Sequence, residues 1–268
     1  MATNLQDINL IDFLTEKQQK LGVFAHFQNT LFNTYNPDIN GYTLLFMIPP
    51  ELSGLKVSQN SLTDFKKRVP MFSPGTIDTT LDQISKFVTF AAVDYSPPQE
   101  QLNTEKISGR TGGIPYATEF TMSEQFSVTY IEDSDLSLYQ FHQIWLYYIW
   151  DLVEGKLAPD DKYMNADNID THYYGALDYA ASFYIVKYKP DLNTITYIGK
   201  CVGAFPQSLP SKELIGQRTG NELTTLPMQY FVSAYRSQVI NSSRDGWLYN
   251  ELYQHVLSKY TQTGSSNR

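Results

Sequence analysis

Cysteine is nearly missing from this sequence. Cys201 stands alone among 268 residues, so no disulfide can form within the chain. Set in a β-like run, it reads as a small core residue rather than a reactive thiol. Basic residues are also in short supply: 20 Lys and Arg stand against 28 Asp and Glu, a formal charge of −8. That excludes a protein that grips nucleic acid through a basic patch, but not a surface that lets DNA pass. Long apolar runs are lacking too. The best candidate, 144–153, falls well short of the ~18 residues that mark a membrane helix. The opening MATNLQDINL has no basic segment followed by an apolar one. No secretion signal is therefore expected, and the expectation is a soluble chain made in a reducing cytoplasm.

Motifs for chemistry are equally scarce. Gly109-Arg110-Thr111-Gly112-Gly113 lacks the order of a phosphate-binding loop. His26, His142, His172 and His255 lie far apart, without metal-ligand spacing. Asp167-Asn168-Ile169-Asp170 begins like a calcium loop, but His172 and Asp178 stand where Gly and Glu are needed. No nucleophile motif surrounds a Ser, and no repeat of fixed period is present. No enzyme activity, cofactor or metal is expected.

Aromatic residues are abundant: 20 Tyr, 15 Phe and 3 Trp. Tyr carries an apolar ring with a polar tip, which suits half-buried positions and subunit interfaces. Residues 1–20 read as a polar, weakly helical lead. Runs at 22–27 and 42–48 read as strands, the second ended by Pro49-Pro50. Residues 51–85 read as irregular, with Lys66-Lys67-Arg68 as a solvated loop face or a contact with an acidic neighbour. A strand is expected from Lys86 to Tyr95, then a loop of about 20 residues from Ser96 to Tyr116.

Glu119 to Ile131 reads as one long strand. Glu119, Thr121, Ser123, Gln125, Ser127 and Thr129 line its polar face, and Phe120, Met122, Phe126, Val128 and Tyr130 its apolar face. Such a face suits a water-filled lumen or an ordinary solvent-facing sheet. Glu132 to Asp135 then caps a helix that runs to about Val153, with Gly155 and Pro159 beyond it. That helix is apolar almost all round, so it is expected to be covered on more than one side. After a polar loop at 156–178, Tyr179–Lys189 and Thr194–Phe205 form a hairpin across Pro-Asp-Leu-Asn. Thr224–Arg236 is the last strand, with Pro227 at an edge or bulge, and Asp245–Tyr260 a final helix.

Three blocks carry a resemblance. They are FVTFAAVDYSPP (87–98), EFTMSEQFSVTYIED (119–133) running into DLSLYQFHQIW (135–145), and YIGKCVGAFPQSLPSKEL (197–214) followed by TTLPMQYFVSAYR (224–236). In this order they resemble the tail tube protein family of contractile-tailed bacteriophages. That family comprises major tube subunits, baseplate tube initiators and the inner-tube proteins of type VI secretion. The resemblance covers about 86–240, and departs at Ile215-Gly216 and Pro227.

It implies a mainly β fold with helices, a sandwich or barrel with one packed helix. Strands of neighbours would join into a hexameric β-barrel ring. It implies an N-terminal extension over 1–85, a tube-like domain over 86–240, and a helix with a loose tail over 241–268. The residues listed above on the polar face of 119–131 would line the channel. Pro97, Pro98, Arg110, Tyr116, Tyr235 and Arg236 would meet other subunits. Partners would be further copies, stacked rings or baseplate hub proteins, and a sheath. DNA would be a passing cargo, and the protein would reside in the virion tail. A different reading is an aromatic-rich β-sandwich that binds carbohydrate. It needs exposed Trp platforms, and Trp145, Trp150 and Trp247 all fall on expected helices.

Overall fold

The computed structural model describes residues 41–57, 62–70, 72, 76–109, 112–160, 176–191, 194–210, 223–240 and 246–257. The expected lead over 1–20, the strand at 22–27, Arg110, His26, and Asp167–Asp170 with His172 lie outside them.

Seven strands form one antiparallel sheet. Its path runs β1 (Thr43–Ile48), β6 (Ala181–Tyr188), β7 (Ile195–Pro206), β8 (Thr225–Phe231), β5 (Gln125–Ile131) and β2 (Ala92–Ser96), with β9 (Ala234–Val239) branching from β7. A separate two-stranded sheet pairs β3 (Glu100–Gly109) with β4 (Gly112–Met122). The helices are α1 (Gly54–Val57), α2 (Leu62–Arg68), α3 (Ile77–Ala91), α4 (Ser137–Val153) and α5 (Trp247–Leu252), the last continued by a π turn to Leu257. The fold is mainly β with several helices around an open sheet.

Strand β7 organises the sheet. Its first half pairs with β9, from Tyr197↔Val239 to Val202↔Ala234, and its end pairs with β8 at Phe205↔Phe231 and Pro206↔Tyr230. The change of partner falls at Gly203, where φ is +68° and an added Cβ would lie 2.5 Å from Ser233 Oγ. Only glycine meets both demands. The partner strand breaks at the same place, so the single strand expected over 224–236 is two, separated by Val232 and Ser233.

Strands β1, β6 and β7 are covered on both faces. Leu45, Met47, Phe183, Ile185 and Cys201 point into the main core. Phe46, Tyr184, Val186 and Ile198 point the other way, under Leu248, Leu252 and Val256 of the C-terminal helix. Two buried faces explain why Phe183 to Val186 reads as a continuous apolar run rather than an alternation. Trp247 leaves the C-terminal stripe and stays about half exposed beneath the Arg236 guanidinium.

The region expected to be irregular, then a strand, is largely helical. Ile77, Leu81, Ile84, Val88 and Ala91 are buried along one stripe of α3 and share the main core with Leu138, Phe141, Ile144 and Trp145 of α4. Lys86 to Ala91 is thus helix, and strand begins only at Ala92. The β-branched residues near Phe87-Val88-Thr89 suggest a strand locally, but spacing by four and three buries a full face, and burial outweighs a weak propensity. Two long helices therefore lie on the core where one is expected.

Lys66-Lys67-Arg68 ends helix α2 rather than occupying a loop. Arg68 pairs with the buried Asp151 of α4 and lies 5.7 Å over the Phe65 ring and 5.5 Å over that of Tyr147.

A candidate channel face and its surroundings

One broad sheet face is left uncovered among the described residues: the outer side of β2, β5 and β8. In β5, Phe126, Val128 and Tyr130 turn inward, as the alternation predicts, and Gln125, Ser127 and Thr129 turn outward. Their cross-strand neighbours are Phe231, Gln229 and Pro227 on one side, and Ser96 and Asp94 on the other. Asp94 is the one charged residue in that group. Water can reach the face, yet it offers no cation to a phosphate backbone.

The face deepens into a cavity of about 240 Å³ at the end of β5, walled by Gln99, Gln101, Ser123, Gln125, Ser127 and Gln229. Ser123 N–H donates to the Gln99 carbonyl at 2.9 Å, and Gln125 N–H to Ser123 Oγ at 3.3 Å. Amide and hydroxyl groups dominate this end. Gln229, Gln99 and Gln101 are not among the expected site residues. Gln229 was findable, since it sits between inward Met228 and Tyr230. Gln99 and Gln101 were hidden by reading their segment as a loop.

The expected strand 119–131 is interrupted. Its first part belongs to β4 and its second to β5, with Ser123 and Glu124 between them. The expected loop 96–116 is the rest of a long hairpin: β3 and β4 pair from Glu100↔Met122 to Gly109↔Gly112, with a one-residue shift in register between Asn103 and Thr104. Its Gly content signals a tight connection, with only positions 110 and 111 between the paired glycines, rather than a lack of structure. Glu119 and Thr121 pair with Asn103 and Gln101 and share the hairpin's polar face. Phe120 is exposed and does not reach the core.

Behind the face, the sheet is held by a buried polar chain. Tyr130 and Tyr230 hydroxyls lie 3.0 Å apart, and His142 of α4 places Nε2 2.6 Å from Tyr230 and Nδ1 2.6 Å from the Leu138 carbonyl. Burial holds His142 down at about 4, against the raising effect of the Leu138 carbonyl. Burial pushes the Tyr130 and Tyr230 hydroxyls well up. All three side chains stay neutral at ordinary pH.

Helix α4 starts as expected from its acidic lead. Glu132 accepts from the N–H groups of Leu138 at 2.9 Å and Tyr139 at 3.1 Å, and Asp133 from Ser137 N–H at 2.8 Å. Leu136, just before the helix, is held at φ 54°, a left-handed conformation that these contacts over-determine. Gly155, at φ +69°, closes the other end.

The expected subunit-contact residues are dispersed. Pro98 is buried and Pro97 half-buried at the end of β2, and Tyr116 is exposed on the hairpin, donating to Glu105 Oε2 at 2.9 Å. Tyr235 lies over Gly199 within its own chain, its hydroxyl 2.5 Å from that of Tyr197. Arg236 is exposed beside Trp247. Trp145 is fully buried and donates to the Tyr179 carbonyl at 2.7 Å, so it can form no sugar platform.

The phage tail tube protein family matches residues 61–237. The chain belongs to the phage tail tube protein family. Residues 61–237 include α3, the hairpin, the uncovered face and the first four of the six residues of β9. Membership supports a structural role in a tail tube. No curated protein matches the chain. Among solved structures, the sheath/tube terminator of an extracellular contractile injection system is similar at 8% identity, over 77% of this chain and 99% of that one, with a TM-score of 0.37. The tube-terminating cap of the anti-feeding prophage is similar at 11% identity, over 55% and 81%, with a TM-score of 0.31. TM-scores this low add no weight to the family match.

Proposed function

We propose that this protein is a ring-forming subunit of the inner tube of a contractile phage tail, placed in the tube or next to the baseplate. The observation that carries this reading is the uncovered and almost uncharged face of β2, β5 and β8 in a chain of this family. Turned toward a channel, Gln125, Ser127, Thr129 and Gln229 would hydrate passing DNA without binding it. Glu119, Thr121 and Ser123 would extend that lining toward the hairpin.

Copies arranged head to tail around an axis close a hexameric ring and remove exposed strand edges. Contacts to neighbouring rings, baseplate hub proteins or sheath would come from the hairpin and from the end of β2 at the half-buried Pro97. The ring would be built in the host cytoplasm and travel in the virion tail. No reaction is part of this role.

Electron microscopy of the purified protein, alone and with baseplate extract, tests it. Rings or short tubes with an open channel are expected. A protein that stays monomeric in both conditions and never enters virions overturns it.

A further inference from the structure

Three fully buried groups behind the uncovered face share a fixed set of hydrogens: His142 on α4, Tyr230 on β8 and Tyr130 on β5. The Leu138 carbonyl accepts from His142 Nδ1 at 2.6 Å, so the neutral ring presents a bare Nε2 to the Tyr230 hydroxyl, also at 2.6 Å. Tyr230 gives its hydrogen to that nitrogen and takes one from Tyr130 at 3.0 Å. Three hydrogens fill three contacts, and none is left over.

A fourth hydrogen finds no place. In the imidazolium both ring nitrogens donate. Nε2–H then occupies the Tyr230 oxygen, and Tyr230 can no longer give its hydrogen to the ring. Tyr230 is the one hydrogen-bond partner of Tyr130 among the described residues. Whichever way the two hydroxyls turn, one of them keeps a hydrogen that meets no acceptor. A buried donor without an acceptor is costly, and relief requires movement of the strand that carries it.

No charged side chain faces the imidazole. The rings around it are Tyr130 of β5, Tyr230 of β8, and Phe141 and Trp145 of its own helix. Glu132 and Asp133 are engaged at the start of α4 on Leu138, Tyr139 and Ser137, and Asp151 near its end pairs with Arg68. Burial holds His142 down at about 4, so the hydrogen-bond chain is filled at neutral pH and overfilled only in acid.

We propose that Tyr130, Tyr230 and His142 form a proton-operated switch: one proton taken up at His142 Nε2 displaces a tyrosine hydroxyl of β5 or β8 and shifts the uncovered face carried by those strands. Inward Tyr130 follows outward Thr129 along β5, and inward Tyr230 follows outward Gln229 along β8. A displacement behind the face is thus one residue away from its surface. The switch belongs to the single chain; that it alters a channel lining rests on the tube-subunit reading.

Nuclear magnetic resonance of the unassembled full chain tests it, following the His142 ring and the backbone amides of Thr129 and Tyr130 as pH is lowered from neutral. In the native protein the β5 amides should shift with the same midpoint as the His142 ring. In His142→Gln that shift should vanish. In Tyr130→Phe the ring should still titrate while the β5 shift falls by more than half, because the surplus hydrogen is then confined to Tyr230. Should Tyr130→Phe not fold, Tyr230→Phe cuts the same chain and carries the same expectation. Amides of β5 that ignore the His142 titration overturn the switch. A β5 shift of full size in Tyr130→Phe also overturns it, since the charge alone would then account for the response. Unfolding before His142 titrates overturns it too, because a switch needs a folded acid form. None of these outcomes bears on ring assembly, so the tube reading stands or falls separately on microscopy.

Discussion

Tyr230 donates its hydroxyl proton to His142. The Leu138 carbonyl can only accept, so His142 Nδ1 must be the donor to it, which leaves Nε2 as the acceptor for Tyr230, 2.6 Å away. Tyr230 in turn accepts from Tyr130 across 3.0 Å. The chain runs in one direction from β5 through β8 to helix α4, with every member neutral and satisfied. Removing a member strands the others. Tyr230→Phe is expected to cost about 1–3 kcal/mol, since the His142 nitrogen loses its only donor. The urea midpoint of the unassembled protein measures it.

The same histidine makes stability depend on pH. Unfolded, His142 takes a proton at about its ordinary 6.5, and folded only at about 4. Between those values the unfolded chain holds more protons, so stability falls as pH drops from 6.5 to 4 and this contribution levels off below. The whole window is worth about 3 kcal/mol. His142→Gln should flatten that part of the stability–pH curve relative to the native protein. Parallel curves for the two proteins would show that the dependence arises elsewhere.

Asp151 gives a third test. It is buried in α4, its Oδ1 has no partner, and Arg68 is its one ionic partner among the described residues. Arg68→Ala should destabilise by about 2–3 kcal/mol, less than a fully buried pair would lose because the guanidinium is partly exposed. Arg68→Met with Asp151→Leu should recover most of the loss, because two apolar side chains leave no buried charge. Thermal denaturation of the three proteins decides it.

Gly199 is expected to tolerate no side chain. An added Cβ would sit 2.4 Å from the Tyr235 hydroxyl and 3.0 Å from its ring. Gly199→Ala should displace Tyr235, break its contact with Tyr197 and cost about 1–3 kcal/mol. Changed near-ultraviolet circular dichroism alongside the lower midpoint would report the tyrosine's movement.

For the channel face, Gln125→Lys with Gln229→Lys places two cations where none stands. Both side chains are exposed and opposite the core. Ring assembly should survive while DNA transfer from virions slows and retained DNA rises with falling salt. Loss of assembly instead would show that this face joins subunits.

Some elements were legible in the sequence because burial on one side leaves a period. The alternation of Phe126, Val128 and Tyr130, the acidic lead of α4, and the hairpin across 190–193 all appear where expected. The hairpin of β3 and β4 was not legible, since a ribbon exposed on both faces has no buried period to read. Helix α3 was masked by β-branched residues whose local preference is weaker than the core stripe they sit beside. The uncovered face was only half visible: β5 shows its outward residues, whereas Gln99, Gln101 and Gln229 are brought to them by pairings that no local pattern encodes.

Pro227 carries a consequence for what can lie alongside β8. Gln229 accepts from Gln207 N–H at 2.9 Å, so the backbone of every second residue back, Pro227 and Thr225, faces the same side. Along that stretch the strand presents carbonyls at both positions but an N–H only at Thr225. An incoming strand can give hydrogen bonds there more readily than it can receive them, and a one-residue slip forfeits the match. Among the described residues no strand pairs with β8 on that side at Thr225 and Pro227, and the missing N–H favours one register over its neighbours, which guards against indiscriminate sheet growth.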